Sequence, residues 1–167
     1  MKNVYKVISS YSTEDTNKGL SRLDTRENEI ADKIIDDLNN NFFMFNGEVC
    51  DWEEGDRMYA VLIMTEDEIK QFKEIDDKLH DGFEGYTTIE DITESILYDM
   101  FDCNIFGFAK SDMEYTFFQY RKKYITKDDI LDKIIKHGKE SLTQNDLLFL
   151  EDKKMIYPFN PQKLLSL

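Results

Sequence analysis

The sequence predicts an α+β fold: a mainly antiparallel sheet with helices on one face and an αα-hairpin at the C-terminus. Three observations carry this. Residues 3–10 and 58–64 have the β-branched, aromatic or continuously apolar character of strands, and Ile, Leu and Phe recur with helical period over 30–38 and 69–79. Asn, Gly, Asp and Ser clusters then punctuate these runs. At 167 residues, with 41% hydrophobic content, 12 Phe and 9 Tyr, the chain has enough apolar surface for one core.

Residues 3–10 (NVYKVISS) form the expected opening strand, followed by a polar loop from Ser12 to Asn17. A first helix starts at Asp24 or Thr25, presents Ile30, Ile34, Ile35 and Leu38 on one face, and stops at Asn39-Asn40-Asn41. Residues 42–51 are aromatic and are broken by Asn46-Gly47, a dipeptide suited to a type I′ turn, so a hairpin or bulged strand is expected there. After the acidic turn Glu53 to Asp56, the run MYAVLIM at 58–64 predicts a central strand buried on both faces. Thr65-Glu66-Asp67-Glu68 is a capping box that opens a second helix, which runs to about Leu79 and buries Ile69, Phe72, Ile75 and Leu79.

The loop His80 to Tyr86 leads to an expected third helix from Thr87 or Thr88, burying Ile89, Ile92, Ile96 and Met100, with an acidic opposite face. Residues 104–109 and 113–122, rich in Phe and Tyr around Ser111-Asp112, are expected to form a second hairpin. Two short helices follow at roughly 127–137 and 143–153, with Gly138 as a left-handed cap and a restart at Thr143. Pro158 and Pro161 mark an irregular tail. The first five elements, β-α-β-β-α, suit a ferredoxin-like start. The expected organisation is one α+β domain over 1–125 with an acidic middle, a helical hairpin at 126–155 packed on the same domain, and a tail at 156–167.

Charge is distributed unevenly. Residues 1–47 carry 6 Lys+Arg against 8 Asp+Glu, residues 48–104 carry 4 against 18, and residues 105–167 carry 11 against 9. The middle third thus holds the whole excess of a chain with net charge −14. No Lys or Arg occurs between Lys78 and Lys110. Such a one-signed field attracts basic surfaces and repels nucleic acid and anionic membranes.

The acidic residues point to partner binding rather than catalysis. On the expected third helix, Glu90, Asp91 and Glu94, with Asp99 further along, lie beside one another with no basic residue close in sequence. Carboxylates three or four apart on a helix are roughly 5–6 Å from each other, near the spacing of phosphates along a strand, so such a face can stand in for a polyanion. Asp81 and Glu84 extend the series. The loop Glu48, Asp51, Glu53, Glu54 and Asp56 surrounds Trp52, and an amphipathic ring among acids suits a hot spot for a basic partner. On the second helix, Glu66–Lys70 and Glu74–Lys78 are spaced to neutralise each other.

Catalytic and cofactor signatures do not rise above background. There is no G-x-S-x-G elbow, P-loop or Gly-rich dinucleotide turn. His80 and His137 are the only histidines, no cysteine pair has zinc spacing, and no acidic loop has the alternating ligands of a calcium site. No metal or cofactor is expected. Cys50 and Cys103, far apart in apolar surroundings, suit buried thiols in a reducing cytoplasm. Residues 1–10 have no apolar h-region, and no stretch approaches the ~18 apolar residues of a membrane span, so no membrane role is expected.

One stretch resembles a known family. In residues 128–150, an Ile130 to Ile134 helix (ILDKI), Gly138, Ser141-Leu142-Thr143 and the closing Phe149-Leu150 follow one another. This order resembles a short helical hairpin at the C-terminus of some bacterial rhomboid-family proteases. The resemblance implies a self-contained αα-hairpin of bacterial origin and carries no protease chemistry. Residues 104–109 echo the aromatic strand of RNA-recognition domains, but lack its leading basic residue and first Gly. Arg121-Lys122-Lys123 beside Phe117, Phe118 and Tyr120 is the basic patch an RNA-binding alternative requires.

The expected function is a non-enzymatic acidic protein that occupies the basic, nucleic-acid-binding surface of a protein partner, such as a nuclease or effector, and inhibits it. Anti-CRISPR and immunity proteins are the classes it looks like. The alternatives are an RNA-binding protein using residues 104–124 and a small metal-dependent hydrolase.

Overall fold

The computed structural model describes residues 2–10, 18–30, 45–47, 57–104 and 110–157. The chain forms two compact units, one of residues 1–94 with 102–110 and the other of residues 95–101 with 111–167.

The first unit is built on a four-stranded sheet of β1 (Asn3–Ser9), β2 (Phe45–Gly47), β3 (Arg57–Met64) and β4 (Thr87–Asp91), in the order β2-β3-β1-β4. All neighbours are antiparallel. Helical residues 25–30 (α1) lie between β1 and β2 in the chain, and α2 (Glu66–His80) lies between β3 and β4. This β-α-β-β-α-β order with β1 and β3 central is the ferredoxin-like, split βαβ arrangement. The fold is α+β, as the sequence predicts.

Period two and the register put Tyr5, Val7, Leu62, Met64 and Ile89 on one face, where Ile69 and Phe72 of α2 pack against them. Val4 and Val61 face the other way and are buried too, so the central strands are covered on both sides. Further along α2, Ile75 and Leu79 pack against Leu20, Leu23 and Ile30. Gly19 permits this approach, since a Cβ there would sit 2.1 Å from the Leu79 carbonyl oxygen. Both helix starts have reciprocal caps: Asp24 with Glu27, and Thr65 with Glu68.

Three expectations are corrected. Asn46-Gly47 is not a turn, because Asn46 pairs with Met58 and Gly47 with Arg57 inside the β2–β3 ladder. Thr87 to Asp91 is a strand rather than the start of a long helix; only α3 (Thr93–Leu97) is helical there, and Met100 is exposed. The physical reason is that β1 offers Tyr5 to Ser9 a second pairing edge, and the β-branched run Thr87-Thr88-Ile89 fits it. Residues 113–122 are not a strand but lie within α4 (Lys110–Tyr124). There Met113, Phe117 and Tyr120 recur at helical spacing and are buried, so period outweighs the β preference of aromatics.

The second unit is helical. Within it α4 is followed by α5 (Lys127–His137), a 3₁₀ turn (Lys139–Ser141) and α6 (Gln144–Leu150). Capping boxes open both hairpin helices, Thr126 with Asp129 and Thr143 with Asp146. Gly138, at φ 82, ends α5 and donates its N–H to the Ile134 carbonyl. The expected hairpin is therefore present with both its signals in place. Ile156 is tied to Asn145 by two hydrogen bonds of 2.8 and 3.0 Å, and the Tyr157 ring meets those of Tyr115 and Phe118. The prolines of the tail, residues 105–109 and the end of the first helix lie outside the described residues.

Candidate functional site

Five of the acidic candidates follow the course of β4. Asp81 and Glu84 lie in the loop leading into it, Glu90 and Asp91 in the strand, and Glu94 in the first turn of α3; all five are exposed. Because β4 is the end strand, these acids border an edge of the sheet.

The extended backbone changes what the acids can do. Glu90 and Asp91 point to opposite faces, and the strand residues sharing a face with them are Thr88 and Ile89, so the row of carboxylates expected on a helix does not form. Glu90 stands opposite Lys6 and forms an ion pair with it. Asp91 accepts hydrogen bonds from Asn3 Nδ2 at 3.1 Å and from the Thr93 amide at 2.9 Å, which turns the chain from β4 into α3. Among the described residues no Lys or Arg lies within ion-pair distance of Asp81, Glu84 or Asp91.

Asp99 belongs to the second unit. It adopts the left-handed conformation, φ 58, in the turn after α3, where its amide bonds the Ile96 carbonyl. Asp is among the few residues that enter this region at modest cost, which accounts for Asp99 without a binding role. Asp51, Trp52, Glu53, Glu54 and Asp56 lie outside the described residues.

On α2 the cation Lys78 pairs with Glu27 of α1, across the two helices, and this hydrogen bond holds the Glu27 carboxyl below the usual range. Near the end of α2, His80 Nδ1 is 3.2 Å from Asp76 Oδ1. Burial pushes the Asp76 carboxyl above its ordinary value, against the pull of His80.

The largest departure from expectation is in the second unit. Arg121, expected in a basic surface patch, is 2% exposed, and it and Lys133, 1% exposed, both meet Asp146, which is 0% exposed. Arg121 bonds Asp146 Oδ1 through Nη2 and donates Nε–H to the Leu97 carbonyl at 2.7 Å. Lys133 Nζ donates to Asp146 Oδ2 at 2.8 Å, and the same oxygen accepts the Thr143 amide at 2.8 Å. Burial raises the Asp146 carboxyl, but Lys133, the Thr143 amide and Arg121 outweigh it and hold the group below its ordinary value. With Phe117 and Tyr120 also buried, the RNA-binding surface loses its guanidinium and two of its rings to packing, and Lys122 and Lys123 remain exposed. The sequence held one signal of this cluster: Lys133 falls between Ile130 and Ile134 on the inward stripe of α5.

Among the described residues no group of His, Cys, Asp and Glu is arranged to hold a metal ion, and no helix is long and apolar enough to cross a membrane. Cys103 is buried. Comparison of the chain with protein-family models, curated proteins and solved structures gives no match.

Proposed function

We propose that this protein is a non-enzymatic, cytoplasmic binding protein whose acidic edge strand docks on a positively charged protein partner. Its action is inhibition, by occupying the surface with which a nuclease or other effector holds nucleic acid, in the manner of anti-CRISPR and immunity proteins. The observation that carries this reading is the line of exposed carboxylates along β4, set in a sequence with no Lys or Arg between Lys78 and Lys110. A predominantly acidic strip of this kind speeds encounter with a basic surface and fixes register, while apolar contacts supply most of the affinity. The C-terminal hairpin is read as a structural module of the kind it resembles.

The test is capture of partners from a bacterial lysate on the immobilised chain at about 50 mM and about 500 mM salt, where screening lengths differ severalfold. Each retained protein is then titrated with its nucleic acid. The expected result is a basic protein, lost at high salt, from which nucleic acid and this chain displace one another. Recovery of no basic protein, or of one that binds both at once, overturns the proposal.

A further inference from the structure

The acids of β4 border a row of backbone groups that, among the described residues, the sheet leaves open. In the β1–β4 ladder the Ser10 amide donates to the Tyr86 carbonyl at 3.0 Å and the Ile92 amide to the Val4 carbonyl at 2.9 Å. Between these ends Lys6 faces Glu90 and Ile8 faces Thr88. Antiparallel pairs alternate between hydrogen-bonded and non-bonded, so Tyr86, Thr88, Glu90 and Ile92 turn their N–H and C=O groups toward β1. Those of Thr87, Ile89 and Asp91 turn outward, past the end strand of the sheet.

An open edge is either filled by another strand or defended by charge. A second copy of β4 is excluded as occupant by its own chemistry. It would bring Glu84, Glu90, Asp91 and Glu94 of both copies to one seam about 4.8 Å wide, and like charges opposed across strands are destabilising. A strand bearing Lys or Arg inverts that balance. On the face of Ile89, which is half-buried against Tyr5, Val7 and Leu62, an apolar side chain is the fitting neighbour.

Resting on the basic-partner reading above, we propose that β4 takes up an extended segment of the partner by strand addition. The segment alternates apolar residues, seated beside Ile89, with basic residues that meet Glu90 and reach Glu84 and Glu94 beyond its ends. Affinity comes from the outward amides and carbonyls of Thr87, Ile89 and Asp91, and selectivity from the carboxylates.

The test uses the full chain and an octapeptide of alternating Lys and Val, with a Glu/Val counterpart as control. Two further analogues are N-methylated, one at the Val amides and one at the Lys amides. Strand addition uses one edge of the peptide, so one analogue loses about tenfold or more in affinity while the other binds like the parent. The parent also slows hydrogen exchange at the Thr87, Ile89 and Asp91 amides, and the Glu/Val peptide does not bind. Equal binding by both analogues overturns strand addition but leaves the basic-partner reading standing. Absence of Lys/Val binding, with a basic partner still captured from the lysate, does the same; loss of both overturns both.

Discussion

Asp146 sets the electrostatics of the second unit, because among the described residues it is the anion that faces two buried cations, Arg121 and Lys133. Replacing it with Asn leaves both cations buried without a counter-charge, and we expect a loss of about 3–5 kcal/mol in urea unfolding. Lys133→Met removes one cation from a cluster of net positive charge and leaves the Arg121–Asp146 pair intact, so it should cost clearly less. The reverse order would show that the ammonium, not the carboxylate, organises the cluster. The acid response carries opposite signs at Asp146 and Asp76. Asp146 is held below its ordinary value of 3.8, so its stabilising contribution is complete above that value and lost as pH falls through and below it. Asp76 is raised, so it binds a proton more readily when folded, and its contribution to the first unit grows as pH falls toward 3.8. Residue-resolved hydrogen exchange between about pH 6 and pH 3 should therefore show protection lost first around α5 and α6.

Caps were the most legible feature at the scale of elements. Thr65 and Glu68 are spaced three residues apart, and the structure closes that box as the spacing predicts; Thr143, expected as a helix start, closes a second box with Asp146. Thr65→Ala should lower stability by about 1 kcal/mol, measured by thermal or urea unfolding. Glycines were legible only where they end a helix. Gly138 announces itself between two helical patterns, whereas Gly19 is required because the Leu79 carbonyl approaches it, a contact with a residue sixty positions away. Gly19→Ala should therefore destabilise more than Gly138→Ala. At Gly138 the added Cβ pays for its positive φ but meets only the mobile end of Glu140, while at Gly19 it meets backbone. The two misassigned segments failed for opposite reasons. Thr87 to Asp91 carries helical spacing into Ile92 and Ile96, yet β1 pairs with it; residues 113–122 carry strand-like aromatics, yet two of them, Phe117 and Tyr120, share a buried helix face with Met113.

For the molecule as a whole, a net charge of −14 makes salt act in two directions. Added salt screens the repulsion among the acids, so the thermal midpoint should rise across a salt series while affinity for a basic partner falls. A midpoint that falls instead would mean that ion pairs such as Lys6–Glu90 and Lys78–Glu27 outweigh the repulsion. The sequence by itself determined the α+β class, the central strand, the capped helices, the hairpin and the concentration of acid in the middle third. Each of these follows from neighbours within a few residues, through period, capping chemistry or a count of charges. Only the tertiary structure decided that the acids line a sheet edge and that Arg121 is buried against Asp146. Both depend on which distant segment comes alongside, β1 beside residues 87–91 and α6 beside α4 and α5, and pairing or burial across that distance leaves no local period to read.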